Sequence, residues 1–181
     1  RRTEIVDESG DIAPEDMIVE EDMAVTISNS GYIKRNAISL YRSQRRGGKG
    51  VVGMNTKEED FVEHLFIAST HDHLLFFSNN GRCYWLKVHE VPQAGRAARG
   101  KAVVNVLNLS SGEKITAVLP VRKFEPDRYV FMATKNGTIK KTELTAFSRP
   151  RAGGIIALGL DAGDELIGVG QTDGSREIFI G

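Results

Sequence analysis

The sequence predicts an all-β fold built from propeller-like repeats of about four strands each, and three observations lead to that prediction. Strand-like apolar runs alternate with tight polar turns along the chain, whereas the helical period is nearly absent. Four of these turns end in a glycine, and Asn-Gly and Asp-Gly are strong hairpin signals. The turn glycines, Gly31, Gly81, Gly137 and Gly174, are 50, 56 and 37 residues apart, a spacing typical of propeller blades. An ordinary sandwich is the alternative, although its turns are usually only about 8–12 residues apart.

The first element is an acidic segment, residues 1–22, which contains nine acidic residues and two arginines. A short helical turn is expected near Ala13-Pro14-Glu15-Asp16, because proline is well tolerated at the first helical position. The residues that follow, 23–57, contain seven bases and no acid. The net charge of zero therefore conceals an acidic block followed by a basic block. Local charge matters more than the total, since the Debye length at physiological salt is about 8 Å.

Residues 23–181 are predicted to form the blades. The repeats lie near 23–70, 74–120 and 129–164, with a partial fourth repeat at 166–181. Each repeat starts with an apolar strand, a polar glycine turn and a second strand. A basic, glycine-bearing loop that runs into a β-branched pair follows each of the first three turns, at 46–52, 99–104 and 151–156.

The first basic loop has the most informative composition, with three cations and three glycines in seven residues: Gln44, Arg45, Arg46, Gly47, Gly48, Lys49 and Gly50. Glycines allow backbone N–H groups to approach a surface closely. Arginine binds two phosphate oxygens at once, and lysine adds a mobile point charge. This loop, called the box below, is therefore predicted to bind phosphates, and a solvated basic turn is the alternative.

Cations recur just past each turn, so blades arranged around a disc would present a curved basic rim. Solubilising charges on exposed strands are the alternative for any single residue. The predicted rim residues are Lys34, Arg35, Arg42, Arg82, Lys87, Arg96, Arg99, Lys101, Lys140, Lys141, Arg149 and Arg151.

The remaining motifs are expected to be structural. The aromatic residues Phe76, Phe77, Tyr84 and Trp85 could stack on bases, but their apolar strand context favours packing between blades. The sequence His71-Asp72-His73 is expected to form a hairpin turn, and no metal site is expected. We expect no catalytic residues, because the sequence contains neither a GxxxxGK[ST] loop nor a defensible Ser-His-Asp arrangement.

The composition is typical of a soluble globular protein, with 40% hydrophobic and 27% charged residues. No apolar run approaches the roughly 20 residues needed to cross a bilayer, and the first residues do not resemble a signal peptide. Cys83 is the only cysteine, so an intrachain disulfide is excluded, and we expect it to be buried. These features predict a cytoplasmic protein.

The box matches, letter for letter, the glycine-rich basic box in the C-terminal domain of the DNA gyrase A subunit, and the chain resembles that domain over nearly its whole length. The resemblance implies a six-bladed propeller with strands exchanged between neighbouring blades, often called a β-pinwheel. The chain would hold about three to four of the six blades, and residues 1–6 would come from the preceding region. The box would lie on the connection between the first and last blades.

The resemblance also implies a function without catalysis in this part of the protein. The domain would bend duplex DNA around its rim, so that the ATP-dependent type II topoisomerase introduces negative supercoils. Expected partners are duplex DNA, the rest of the gyrase A subunit, and the gyrase B subunit in an A2B2 holoenzyme associated with the nucleoid. No cofactor is expected here, since ATP and Mg would act elsewhere in the holoenzyme.

Two alternatives to this function remain open. One is the C-terminal domain of the A subunit of topoisomerase IV, whose box is typically degraded, so the intact box favours gyrase. The other is a propeller that binds acidic proteins, in which the acidic segment 4–22 could itself mask the rim.

Overall fold

A computed structural model describes residues 13–41, 54 and 60–180, and the structural statements below concern that part of the chain. The prediction of an all-β fold is confirmed, and the expected helical turn is present as a short 3₁₀ helix. The 3₁₀ helices are Pro14–Met17, Ile38–Leu40, Val88–Glu90, Val103–Asn105 and Leu144–Phe147. The strands are β1 (Asp22–Ser28), β2 (Tyr32–Ala37), β3 (Val62–Ser69), β4 (His73–Ser78), β5 (Arg82–Lys87), β6 (Lys101–Ala102), β7 (Ile115–Val121), β8 (Tyr129–Thr134), β9 (Ile139–Glu143), β10 (Ile155–Ile156) and β11 (Leu166–Thr172).

The described strands form three antiparallel sheets, and each sheet is one blade. The strand order is β3-β1-β2-β6 in the first blade, β7-β4-β5-β10 in the second and β11-β8-β9 in the third. In each blade a hairpin supplies two neighbouring strands, and a later strand pairs with the first strand of that hairpin. The hairpin turns lie at Gly31, Gly81 and Gly137 as predicted, and all three glycines have positive φ.

Strand β11 corrects the prediction of a partial fourth repeat at 166–181. It pairs with β8 and completes the third blade, in the position that β3 and β7 occupy in the first two blades. Local turn chemistry at Asp173-Gly174 does not determine which strand the preceding apolar run joins. The short spacing of Gly174 has the same origin, because this glycine follows the third strand of a blade rather than the first.

The first two blades are each completed by a short strand from the next repeat. In the first blade Lys101 of β6 pairs with Ile33 of β2, and β10 pairs with β5 in the same register. Gly100 and Gly154 immediately precede these strands and have φ of 86° and 70°. A Cβ would lie 2.3 Å from the Ile33 carbonyl oxygen at Gly100, and 2.8 Å from the Cys83 carbonyl oxygen at Gly154. Close approach of the two backbones therefore requires glycine at both positions.

Two hydrophobic cores lie between consecutive blades. Phe76 and Tyr84 belong to the core between the first and second blades. Phe77 and Cys83 belong to the core between the second and third blades, and Trp85 packs against it. The prediction that these aromatic residues pack between blades is confirmed, as is the burial of Cys83. Burial raises the pKa of the Cys83 thiol, so the thiol stays protonated at neutral pH.

In each blade, a carboxylate that precedes the third strand accepts a hydrogen bond from the hairpin of the same blade. In the first blade Asp60 accepts a hydrogen bond from the Ser30 N–H at 2.8 Å. In the third blade Asp164 accepts one from the Asn136 N–H at 3.0 Å. Glu113 holds the corresponding position in the second blade and is buried. These acids tie the third strand of each blade to its hairpin.

Glu113 is the basis for a prediction about acid stability. Burial works to raise the pKa of Glu113, but hydrogen bonds from Ser78, the Ser110 N–H and the Tyr84 hydroxyl outweigh it and hold the pKa below its ordinary value of 4.5. A depressed folded-state pKa stabilises the fold above the unfolded-state value, and the stabilisation is lost as the pH falls through the folded-state pKa.

Glu113→Gln should therefore lower the free energy of unfolding by about 1–3 kcal/mol at neutral pH and reduce its dependence on pH below about 4.5. Urea unfolding at neutral and acidic pH measures both effects. Glu143→Gln is the matched control, because Glu143 is exposed and should leave the acid dependence unchanged. An unaltered acid dependence in Glu113→Gln would contradict the role given to this carboxylate.

Candidate nucleic-acid interface

Two of the three predicted basic loops cross from one blade to the preceding one. We call residues 93–102 and 149–156 the exchanged segments, because each carries a strand that pairs with the preceding blade. The box, Gln44 to Gly50, and the rim residue Arg42 lie outside the described residues.

The first exchanged segment is held along β2 by hydrogen bonds. The Ala94 N–H donates to the Arg35 carbonyl at 3.3 Å, and the Asn36 amide donates to the Ala94 carbonyl. The Lys34 ammonium donates to the Gly95 carbonyl at 3.1 Å and to the carbonyl of the next residue. These bonds fix the backbone of the segment on the edge of the first blade.

The second exchanged segment is held on the second blade by side chains. The Arg82 guanidinium donates to the Gly153 carbonyl at 2.6 Å and to the Tyr84 hydroxyl at 3.1 Å. The Asn108 amide donates to the Ala152 carbonyl at 3.0 Å. Arg82 is half-buried, and these contacts give its guanidinium a role in positioning the segment.

The exchanged segments carry most of the exposed cations predicted for the rim. These exposed residues are Arg96, Lys101, Arg149 and Arg151. The surrounding sequence contains no acid from 91 to 112 or from 144 to 160. Among the described residues, the ion pairs involve other side chains and leave these four cations unpaired. The structure therefore brings four exposed positive charges onto equivalent edges of two consecutive blades.

The structure corrects the alignment of the two loops. Gly100 and Gly154 occupy the same place in their blades, so Lys101 corresponds to Ile155. The expected β-branched pairs are therefore not equivalent, and the pair 103–104 lies in a 3₁₀ helix after the exchanged strand. The register follows from the two glycines, whose backbones pass close to the neighbouring strand.

Lys34 and Arg35 are corrected from rim residues to structural ones. Lys34 is 0% exposed and its ammonium binds carbonyls of the first exchanged segment. The Arg35 guanidinium donates to the Val91 carbonyl at 2.8 Å and to the His89 carbonyl at 3.2 Å. Burial lowers the pKa of both side chains. They therefore join blades instead of facing a ligand.

Lys87 is also engaged within the molecule. Its ammonium lies 2.9 Å from the Glu15 carboxylate, which also lies 3.6 Å from the His89 ring. Glu20 of the same acidic segment forms an ion pair with Arg122. The described part of the acidic segment thus contacts Lys87, His89 and Arg122, and Lys87 belongs to the predicted rim.

The other described rim residues, Arg99, Lys140 and Lys141, are neither fully buried nor free of contacts within the molecule. Arg99 is half-buried, with its guanidinium 5.0 Å from the centroid of the Tyr32 ring. The exposed residue Lys140 donates to the Ala157 carbonyl at 2.8 Å. The Lys141 ammonium lies 4.7 Å from the centroid of the Tyr129 ring. Lys140 and Lys141 are on β9, and Ala157, which accepts from Lys140, directly follows the second exchanged segment.

One basic cluster was missed by sequence reasoning. Arg122, Lys123 and Arg128 are exposed on the connection between β7 and β8. Acidic neighbours accompany them, since Arg122 pairs with Glu20 and Arg128 lies 3.9 Å from Glu125. The cluster lies outside the repeated basic loops, which explains why the pattern of recurring cations does not include it.

The sequence His71-Asp72-His73 lies at the turn between β3 and β4, which belong to the first and second blades and do not pair with each other. The expectation of a hairpin is therefore wrong, and the turn connects two blades. The His71 ring is 2.8 Å from the Ile18 carbonyl oxygen, and Asp72 accepts a hydrogen bond from the Ser69 N–H at 2.9 Å. Burial is the main cause that lowers the pKa of His73. These contacts give the three residues a structural role.

Within the described residues, no helix has the length and apolar character needed to span a membrane.

Comparison with known families places the blades in one family. The protein-family model described as "DNA gyrase C-terminal domain, beta-propeller" matches residues 22–69, 72–122 and 128–173 of this chain. Curated relatives include the A subunits of DNA gyrase from Salmonella typhimurium, 54% identical over 180 residues, and from Haemophilus influenzae, 56% identical over 180 residues. Both alignments cover 99% of this chain and 20% of the relative. The chain thus spans about a fifth of the length of the curated relatives it matches.

Solved structures share the fold. The C-terminal domain of DNA topoisomerase IV is 29% identical with a TM-score of 0.73, and the alignment covers 87% of this chain and 48% of that one. The DNA gyrase A C-terminal domain is 24% identical with a TM-score of 0.67, and the alignment covers 84% of this chain and 48% of that one. Three blades therefore correspond to about half of each solved domain.

Proposed function

Because the chain belongs to the DNA gyrase C-terminal domain family, we propose that it is a non-catalytic module that binds and bends duplex DNA. One observation carries the proposal. Two consecutive blades present exchanged segments on equivalent edges, with exposed cations and no acidic residue in the surrounding sequence. A duplex that follows these edges would meet positive charge at repeated intervals.

Phosphate contacts are the chemistry that suits this surface. Arginine and lysine neutralise backbone phosphates and release counterions, which supplies affinity without reading bases. Bending a 20–30 bp site smoothly costs about 1–6 kcal/mol, so several cations must act together to hold a curve. We propose that Arg96, Lys101, Arg149 and Arg151 supply those contacts in the described blades, together with the box.

In the proposed assembly this module provides geometry and the rest of the enzyme provides chemistry. The remaining part of the gyrase A subunit, together with the gyrase B subunit, would cut, pass and rejoin DNA with ATP and Mg, and the bent DNA would set the direction of supercoiling. The box, Gln44 to Gly50, would bind where DNA enters or leaves the curve.

Gyrase is preferred over topoisomerase IV as the parent enzyme. The curated relatives at 54% and 56% identity are gyrase A subunits, and the box is intact. The likeness to the topoisomerase IV domain at 29% identity supports the same fold for both enzymes. A propeller that binds acidic proteins remains the alternative, and the contacts of Glu15 and Glu20 with Lys87 and Arg122 are the observations that favour it.

The proposal predicts a specific effect of removing the box cations. The variant Arg45→Ala, Arg46→Ala, Lys49→Ala should flatten the slope of log affinity against log salt by about 2–3 units, because three phosphate contacts are lost. Fluorescence anisotropy with a labelled duplex, measured over a range of salt concentrations, gives the slope for the wild type and the variant.

The matched control removes three exposed cations outside the repeated loops: Arg122→Ala, Lys123→Ala, Arg128→Ala. Its slope should equal that of the wild type. An equal slope in the box variant would exclude the box from direct phosphate contact. If the wild type fails to bind duplex DNA even at low salt, the protein-binding alternative replaces the proposal.

A further inference from the structure

In the first exchanged segment, two side chains of β2 bind consecutive backbone carbonyls. The Asn36 amide donates a hydrogen bond to the Ala94 carbonyl, and the Lys34 ammonium donates one to the Gly95 carbonyl at 3.1 Å. The same ammonium also donates to the carbonyl of Arg96. Lys34 and Asn36 are both 0% exposed, so neither side chain meets a ligand in solution. Buried donors therefore fix the backbone that carries the exposed side chain of Arg96.

The second exchanged segment is held in the same manner by different residues. The Asn108 amide donates to the Ala152 carbonyl at 3.0 Å, and the Arg82 guanidinium donates to the Gly153 carbonyl at 2.6 Å. These two carbonyls directly follow Arg151, whose side chain is exposed. In both segments an amide and a cation thus bind an Ala-Gly pair beside an exposed arginine. We call each pair of donors a clamp.

The two clamps are not copies of one another. Lys34 lies three residues after the hairpin glycine Gly31, whereas Arg82 directly follows the hairpin glycine Gly81. The repeat of the fold therefore does not by itself place a cation in both clamps. What the clamps share is the backbone that they hold, next to an exposed arginine of the candidate DNA-binding edge.

We propose that Lys34 and Arg82 are positioning residues, which hold Arg96 and Arg151 where a duplex must curve to reach both. This inference rests on the proposed DNA-bending function and names residues that convert phosphate binding into a bend. Affinity from counterion release requires only that phosphates are neutralised. A bend requires contacts that do not yield, because a cation on a slack segment moves with the DNA and lets it relax toward a straight path.

Two measurements on the whole 181-residue chain separate positioning from direct contact. The slope of log affinity against log salt, from fluorescence anisotropy, reports the number of phosphate contacts. The linking number of relaxed circular DNA, treated with a type I topoisomerase in the presence of the chain, reports the bend. The variant Lys34→Met, Arg82→Met should keep the wild-type slope and lose most of the shift in linking number per bound chain.

The matched control, Lys123→Met, Lys135→Met, removes two exposed cations outside the exchanged segments and should keep both the slope and the shift. Asn108→Ala tests the second clamp without a change of charge, and its fold is not at risk because Asn108 is exposed. It should reduce the shift at an unchanged slope, whereas Asn105→Ala, at another exposed asparagine, should have no effect. Circular dichroism of each variant checks that the fold is intact.

Three outcomes would count against the proposal, and they are distinguishable. A flatter salt slope in a folded Lys34→Met, Arg82→Met variant would show that Arg82 contacts phosphate directly, which overturns its role as a positioning residue. An unchanged linking-number shift in this variant and in Asn108→Ala would overturn the proposal and leave DNA bending by the wild type intact. A wild type that binds DNA without any shift would refute the proposed function, and the positioning role with it.

Discussion

Replacing the four exposed cations of the exchanged segments should flatten the slope of log DNA affinity against log salt by about 3–4 units. The variant is Arg96→Ala, Lys101→Ala, Arg149→Ala, Arg151→Ala. The effect should exceed that of the box variant, because one more phosphate contact is lost. These side chains are exposed and unpaired within the described residues, so their removal should leave the free energy of unfolding nearly unchanged.

The control for this prediction removes an equal number of exposed cations elsewhere: Arg122→Ala, Lys123→Ala, Arg128→Ala, Lys135→Ala. Net charge changes equally in the two variants, so a general charge effect would flatten both slopes. The account predicts that the control keeps the wild-type slope. Equal flattening in both variants would refute the assignment of phosphate contacts to the exchanged segments.

Gly100→Ala should destabilise the fold more than either Glu113→Gln or an alanine at an open glycine position. Gly100 has φ of 86°, and an added Cβ would lie 2.3 Å from the Ile33 carbonyl oxygen and 2.8 Å from the Lys34 Cβ. Both neighbours belong to β2, so relief of the clash requires the exchanged strand to separate from the first blade. We expect a loss of more than about 3 kcal/mol in the free energy of unfolding, measured by urea denaturation.

Gly112→Ala is the matched control for backbone strain alone. Gly112 has φ of 77°, but no heavy atom lies within 4 Å of an added Cβ. This variant should lose about 1–2 kcal/mol from the left-handed conformation of a non-glycine residue. Equal losses at Gly100 and Gly112 would show that close packing against β2 contributes nothing, and the strand-exchange argument would fail.

The hairpins could be predicted because their signals are local. A polar turn ending in glycine between two apolar runs identifies the turns at Gly31, Gly81 and Gly137 from sequence alone. The pairing of β11 with β8 could not be predicted in the same way, because it depends on which distant strand offers a free edge. The same limit applies to the carboxylates Asp60, Glu113 and Asp164, whose partners lie about 30 residues away in the hairpins of their blades.

The sequence predicts which types of residue form the candidate site better than it predicts which of those residues are exposed. The recurring cations predict a site on the basic loops, and the structure places the exposed residues Arg96 and Lys101 on one of them. The sequence does not distinguish Arg96 and Lys101, which are exposed, from Lys34, which is buried, because all three occur in polar stretches that follow a turn. The distinction arises when the exchanged segment covers Lys34 and supplies carbonyls to its ammonium.

The most direct test of the account is the topology of DNA bound by this chain. Relaxed circular DNA is incubated with the protein, any change is fixed by a type I topoisomerase, and the distribution of linking numbers is read on a gel. The account predicts that the wild type shifts the distribution in one direction and that the four-cation variant of the exchanged segments does not. Binding by the wild type without any shift in linking number would contradict the claim that this surface bends duplex DNA along a curved path of fixed hand.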